Sequence, residues 1–165
     1  MENPLDPSFY DEAFVMRYAG RANTTDIQYM NTLKMSWYCG CQVLIERNIG
    51  LEPKKFFQKM KCAGFLMYLP NEVEFGIYTD GTGNVVQAMC GYTEAYINKN
   101  IEKVFFKELL SLESGWLGFR VEDTQKSDDA MAGGFALIAA KTKKYLRSNE
   151  KQIDIQNLMP YSKAI

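Results

Sequence analysis

The apolar positions change spacing several times along the chain, and each change predicts an element. Residues 1–12 are irregular, with Pro4 and Pro7 breaking any repeat. FVMRYAGR (14–21) alternates and ends at a glycine, which predicts a strand. Asn23, Thr24 or Thr25 then caps a helix over about 25–38, where Ile27, Met30, Leu33, Met35, Trp37 and Tyr38 roughly follow helical spacing until Gly40 stops it. CQVLIE (41–46) is a short β-branched run closing on a glutamate, read as a buried strand with helices against it. Pro53 opens a helix to about Ala63. FLMYL (65–69) and EFGIY (74–78) are further candidate strands, and TDGTGN (79–84) is a glycine-rich turn. Helices follow over about 84–98 and 101–112, then a strand or extended segment over 114–121. The strongest helical pattern spans 127–148, with acids in its first turn, an apolar body and bases at its end, in the sense that complements the helix dipole. Strands alternating with helices predict an α/β domain over 14–148, between a lead-in at 1–13 and a tail at 149–165.

Composition narrows the chemistry. The chain has 165 residues, 47% of them hydrophobic, which suits one domain with a real core. Its net charge of −1 supplies no global field toward nucleic acid, so any DNA contact must be local or through a metal. An acidic, proline-broken start is unlike a signal or transit peptide, and no apolar run is long enough for a membrane helix, so a soluble intracellular protein is expected. Four cysteines, at 39, 41, 62 and 90, lack the paired C-x₂-C spacing of structural zinc and read as reduced, mostly buried thiols. There is no histidine. That removes Ser-His-Asp and Cys-His catalysis, histidine-zinc hydrolysis and histidine-based nucleases, and leaves carboxylates with a hard cation as the natural hydrolytic tools.

Two acidic positions fit that chemistry. Glu46 ends the apolar run, and Asp128 with Asp129 opens the last helix. Brought together, they would hold one or two divalent ions that activate water against a phosphate. The plainer alternative stays open: a glutamate can simply begin a loop, and an Asp pair can simply cap a helix and meet its dipole. Lys54, Lys55, Lys59 and Lys61 on one short helix, and Lys141, Lys143, Lys144 and Arg147 at the end of the last, are either phosphate contacts or solvated faces. Trp37 and Trp116 read as core.

A family resemblance joins these pieces. QVLIERNIG resembles the strand and glutamate segment of the nuclease domain of phage terminase large subunits, in which E-x-N is followed by a glycine. YAGRANTTDIQYMNTLKMSWYCGC before it, KKFFQKMKCAGFLMYLP and GIYTDGTGNVVQAMCGYTEAYI after it, and VFFKELLSLESGW and KSDDAMAGGFALIAA toward the end resemble the family's remaining segments in the same order, from about residue 14 to 147. The resemblance implies an RNase H-like mixed sheet flanked by helices. It also implies a Mg²⁺- or Mn²⁺-dependent endonuclease, with a two-metal site, that cuts concatemeric double-stranded viral DNA during packaging in the host cytoplasm, beside portal and packaging proteins. Glu46, Asp128 and Asp129 would be catalytic metal ligands, and Lys54, Lys55, Lys59, Lys143 and Lys144 DNA contacts.

The departures from the family are as specific as the matches. The family's first catalytic aspartate and its first strands would fall before Met1, Asp6 and Asp11 being the only nearby acidic substitutes, and no Walker A sequence occurs. A strand at 14–21 without its neighbours would leave an edge for another chain to complete. An inactive interaction module of a packaging or virion complex, and a resolvase-type nuclease, are the competing functions. An alternative frame takes Asp80 as the first aspartate, although a turn residue explains Asp80 as well.

Overall fold

The computed structural model describes residues 12–20, 22–79, 83–121, 124 and 127–142. Four α-helices carry the architecture: α1 (Thr25–Cys39), α2 (Glu52–Lys59), α3 (Asn84–Asn100) and α4 (Asp128–Lys141), joined by extended segments and short 3₁₀ turns. This corrects the expected α/β fold. The described residues hold no strand, sheet or barrel, and the chain is not an RNase H-like mixed sheet.

The reason lies in the three runs that the sequence marks as strands. Residues 43–46, 66–68 and 75–77 are extended and do meet, but only through isolated bridges: Val43 with Leu66 and Glu46 with Ile77 in parallel, and Tyr68 with both Phe75 and Gly76. Strand pairing needs a repeating ladder, and here each pairing stops at once. Gly76 supplies the break. It sits at φ +72°, its N–H donates to the Met67 carbonyl at 2.7 Å, and a Cβ there would run into the Ile45 carbonyl. The bend sends Phe75 and Ile77 into different hydrophobic clusters, although strict alternation would put them on one face.

Other expected elements also change. Residues 14–20 form no strand, so the edge at which a second chain was expected does not exist there. The helix expected over 101–112 is replaced by 3₁₀ turns at Ile101–Lys103 and Lys107–Leu110, and the extended segment at 114–121 by a 3₁₀ turn at Trp116–Gly118. A Cβ on Gly118 would strike the Leu112 carbonyl, so this loop closes on its own backbone too tightly for a strand.

The helices with clear end signals match expectation. Thr24 accepts from the Ile27 N–H at 3.3 Å to begin α1, and Gly40, at φ +62°, ends it. Pro53 lies in the first turn of α2, whose Phe56 and Phe57 are buried while Lys55, Gln58 and Lys59 face water. That helix stops earlier than expected, because Lys61 takes φ +54°. α4, expected to reach residue 148, ends at Lys141, where Thr142 turns extended; Lys143, Lys144 and Arg147 lie outside the described residues, as do Asp6, Asp11 and Asp80.

Three hydrophobic clusters make up the core. Leu33, Phe56, Phe57, Leu66 and Phe75 join α1 and α2 to the extended segments. Ile77, Val86, Met89, Phe135 and Ile138 join those segments to α3 and α4. Tyr96, Leu109, Trp116, Ala130 and Leu137 lie beneath the 3₁₀ turns, where Phe14 meets Tyr96 and Trp116 edge-on at 5.3 and 5.7 Å. α4 packs closely because it carries Gly134 facing α3 and Gly133 facing the 3₁₀ turns. A Cβ on Gly134 would overlap the Met89 side chain, and one on Gly133 would come within 2.9 Å of the Trp116 ring.

Overpacking this crossing is therefore expected to cost stability. Gly134→Val should destabilise by about 1–3 kcal/mol in urea unfolding, and Met89→Ala alone by about 2–5 kcal/mol. The double variant should lose clearly less than the sum, because the added methyl groups enter the space vacated by Met89. Additive losses would show that the two residues do not share that space. A second check concerns Glu12, whose hydrogen bond from Lys99 (2.7 Å), with a further one from Asn100, holds its carboxyl below the ordinary value. A depressed carboxyl stabilises above its unfolded pKa and loses that contribution as pH falls through the folded value. The stability difference between the intact chain and Glu12→Gln should accordingly shrink to nothing on acidification.

Candidate functional site

Glu46 follows the extended run at the point where the chain turns into a 3₁₀ turn, Arg47–Ile49. Its position is fixed by backbone on both sides: the Ile77 N–H donates to the Ile45 carbonyl at 2.8 Å, and the Arg47 N–H donates to the Ile77 carbonyl at 2.7 Å. This pairing also brings Thr79 alongside. The Thr79 hydroxyl donates to Glu46 Oε1, and Asn48 Nδ2 donates to the same oxygen at 3.1 Å. Asn48 Nδ2 also reaches the Thr79 carbonyl at 2.8 Å, while the Thr79 N–H donates back to Asn48 Oδ1 at 3.3 Å. Glu46, Asn48 and Thr79 thus form one closed hydrogen-bond cluster.

This cluster borders an open cavity of about 630 Å³. Asp128, in the first turn of α4, lines the same cavity. Val86 of α3 and Met131, Ala132 and Phe135 of α4 supply its apolar wall, and Thr124 and Gly83 complete its rim. The structure therefore brings together Glu46 and Asp128, which are distant in sequence. They are joined by two side chains that sequence reading did not single out, Asn48 and Thr79. The E-x-N pattern was visible, but nothing in the sequence tied its asparagine to Thr79.

Asp129 is placed differently. Arg17 holds it in a two-pronged pair, Nε to Oδ1 and Nη2 to Oδ2, both at 2.9 Å, and Ser114 Oγ donates to Oδ2 at 2.7 Å. The neighbouring Ala130 N–H, an otherwise unpaired first-turn donor of α4, goes to the Ser114 carbonyl at 2.9 Å. Arg17 and Ser114 thus tie both the 14–20 segment and the 111–115 turn to the start of α4. Asp129 does not line the cavity. Sequence spacing could have suggested this division, since adjacent helical residues point about 100° apart.

The groups free to act as ligands are the Glu46 and Asp128 carboxylates, hard oxygen donors of the kind that suits Mg²⁺ or Mn²⁺, with Asn48 and Thr79 turned to Glu46. Among the described residues no three His, Cys, Asp or Glu side chains group closely enough to hold a metal by themselves. Of the expected DNA contacts, Lys143 and Lys144 lie outside the described residues and the other three sit on α2. Lys54 pairs with Glu74 at 3.3 Å and lies over the Phe75 ring, whereas Lys55 and Lys59 face solvent on α2. The four cysteines are free; Cys39 and Cys41 are exposed rather than buried, and partial burial pushes the Cys62 and Cys90 thiols up. No described helix is long and apolar enough to cross a membrane. Comparison with protein-family models, curated proteins and solved structures finds no match to this chain.

The two aspartates should separate by their effect on stability. Asp129→Ala is expected to cost about 1–3 kcal/mol in chemical unfolding, because it leaves Arg17 without its partner. Asp128→Ala, at an exposed position, should change stability little. Equal losses in the two variants would contradict this division.

Proposed function

We propose that this chain is the metal-dependent endonuclease portion of a viral DNA-packaging terminase large subunit, hydrolysing phosphodiester bonds of concatemeric double-stranded DNA. The observation that carries the reading is that Glu46 and Asp128, distant in sequence, line one cavity. The ordered motif resemblance supports it independently. The helical fold lends it nothing, so the reading rests on the site.

Mg²⁺ commonly binds through one or two protein carboxylates together with substrate phosphates. Glu46 and Asp128 fit that pattern and would hold the ion, which when bound polarises a phosphate and activates water. The chain's own residues do the positioning. Asn48 and Thr79 restrain Glu46, the first turn of α4 presents Asp128, and the apolar wall from Val86 to Phe135 limits water behind the site. Lys55 and Lys59 offer exposed charge for DNA phosphates. In this reading the partners are double-stranded viral DNA and the portal and packaging proteins, in the host cytoplasm.

One observation favours a second reading, an inactive interaction module of the same packaging machinery. The Arg17 guanidinium occupies Asp129, so the third carboxylate that the resemblance implies is already engaged. Plasmid cleavage with Mn²⁺ separates the two. The intact chain should nick and linearise the plasmid, and Glu46→Ala and Asp128→Ala should each lose more than the roughly 10- to 100-fold typical of an outer-shell change. Absence of cleavage by the intact chain would favour the inactive module.

A further inference from the structure

The closed cluster around Glu46 carries an inference of its own, which rests on the reading of the cavity as a metal site. We propose that Asn48 and Thr79 are positioning residues that present the Glu46 carboxylate to a divalent cation. Both of their hydrogen bonds to Glu46 land on Oε1, from Asn48 Nδ2 and from the Thr79 hydroxyl, and neither takes Oε2. A carboxylate tethered through one oxygen keeps a fixed plane and offers the other oxygen as a ligand.

Asn48 is suited to this task in a way that a charged residue is not. Its amide NH₂ donates to the carboxylate and to the Thr79 carbonyl, while its carbonyl oxygen accepts the Thr79 N–H. The Asn48 side chain thereby locks the backbone at Thr79 as well as the carboxylate. The tether spans two chain segments, residues 46–48 and residue 79, which the Ile45–Ile77 pairing already holds in register. Glu46 and Thr79 are half-buried, so desolvation strengthens the bond between them relative to a freely solvated pair.

The test measures Mn²⁺ binding directly, from the loss of the free-ion electron paramagnetic resonance signal as the full chain is added, and cleavage of plasmid by the same preparations. Asn48→Ala and Thr79→Val are expected to weaken Mn²⁺ binding by about 10- to 100-fold, the usual cost of losing an outer-shell partner. They should lower kcat while KM for plasmid stays unchanged, and Thr79→Ser, which keeps the hydroxyl, should restore the intact behaviour. Melting curves identify any variant that fails to fold, and the Thr79→Val and Thr79→Ser pair then decides. Should Glu46→Ala abolish Mn²⁺ binding while Asn48→Ala and Thr79→Val bind as tightly as the intact chain, the positioning role is overturned and the metal site stands. An intact chain that binds no Mn²⁺, or that binds it equally well with Glu46→Ala, overturns the metal site and the positioning role together.

Discussion

The close seating of α4, with Gly134 against Met89 of α3 and Gly133 against Trp116 of a 3₁₀ turn, sets the frame for the rest of the molecule. A side chain at Gly134 would push α4 from α3, and one at Gly133 would push it from the 3₁₀ turn that carries Trp116. Met89 shares its cluster with Ile77, Phe135 and Ile138, so the same contact also seats the extended segment 75–77. Ile77 in turn is hydrogen-bonded on either side of Glu46, to Ile45 and Arg47. The distance from Asp128 at the head of α4 to Glu46 is therefore controlled by packed core, since close-packed interiors transmit displacement instead of absorbing it.

Around that frame, the neighbouring aspartates divide the work. Asp129 is consumed by structure: Arg17 and Ser114 use its oxygens to bind two irregular segments to the start of a helix. Asp128, one position earlier, faces the cavity. A partly buried, two-pronged guanidinium pair of this kind orients as well as attracts. It holds residues 14–20 in place without a strand and so keeps Phe14 against Tyr96 and Trp116.

The cavity itself joins an apolar wall to a polar rim. Val86, Met131 and Phe135 form the wall, and Glu46, Asn48, Thr79 and Asp128 the rim. In a chain without histidine, the oxygen donors gathered here are the chemistry the fold makes available.

Local signals in the sequence determined the helices. Thr24 and Gly40 bound α1, Pro53 starts α2, and the acidic first turn marks α4, because capping and dipole preferences act within a single turn. The sequence also marked Glu46 and Asp128 as candidates. It did not determine the fold class. An apolar β-branched run looks alike whether it enters a ladder or pairs through a single bridge, and only the bend at Gly76 against the Ile45 carbonyl decides between them. Nor did it assign the two aspartates, because Arg17 and Ser114 reach Asp129 from distant parts of the chain. Tertiary structure alone gave Glu46 and Asn48 their partner in Thr79, since hydrogen bonds between segments 31 and 33 positions apart have no local pattern to announce them.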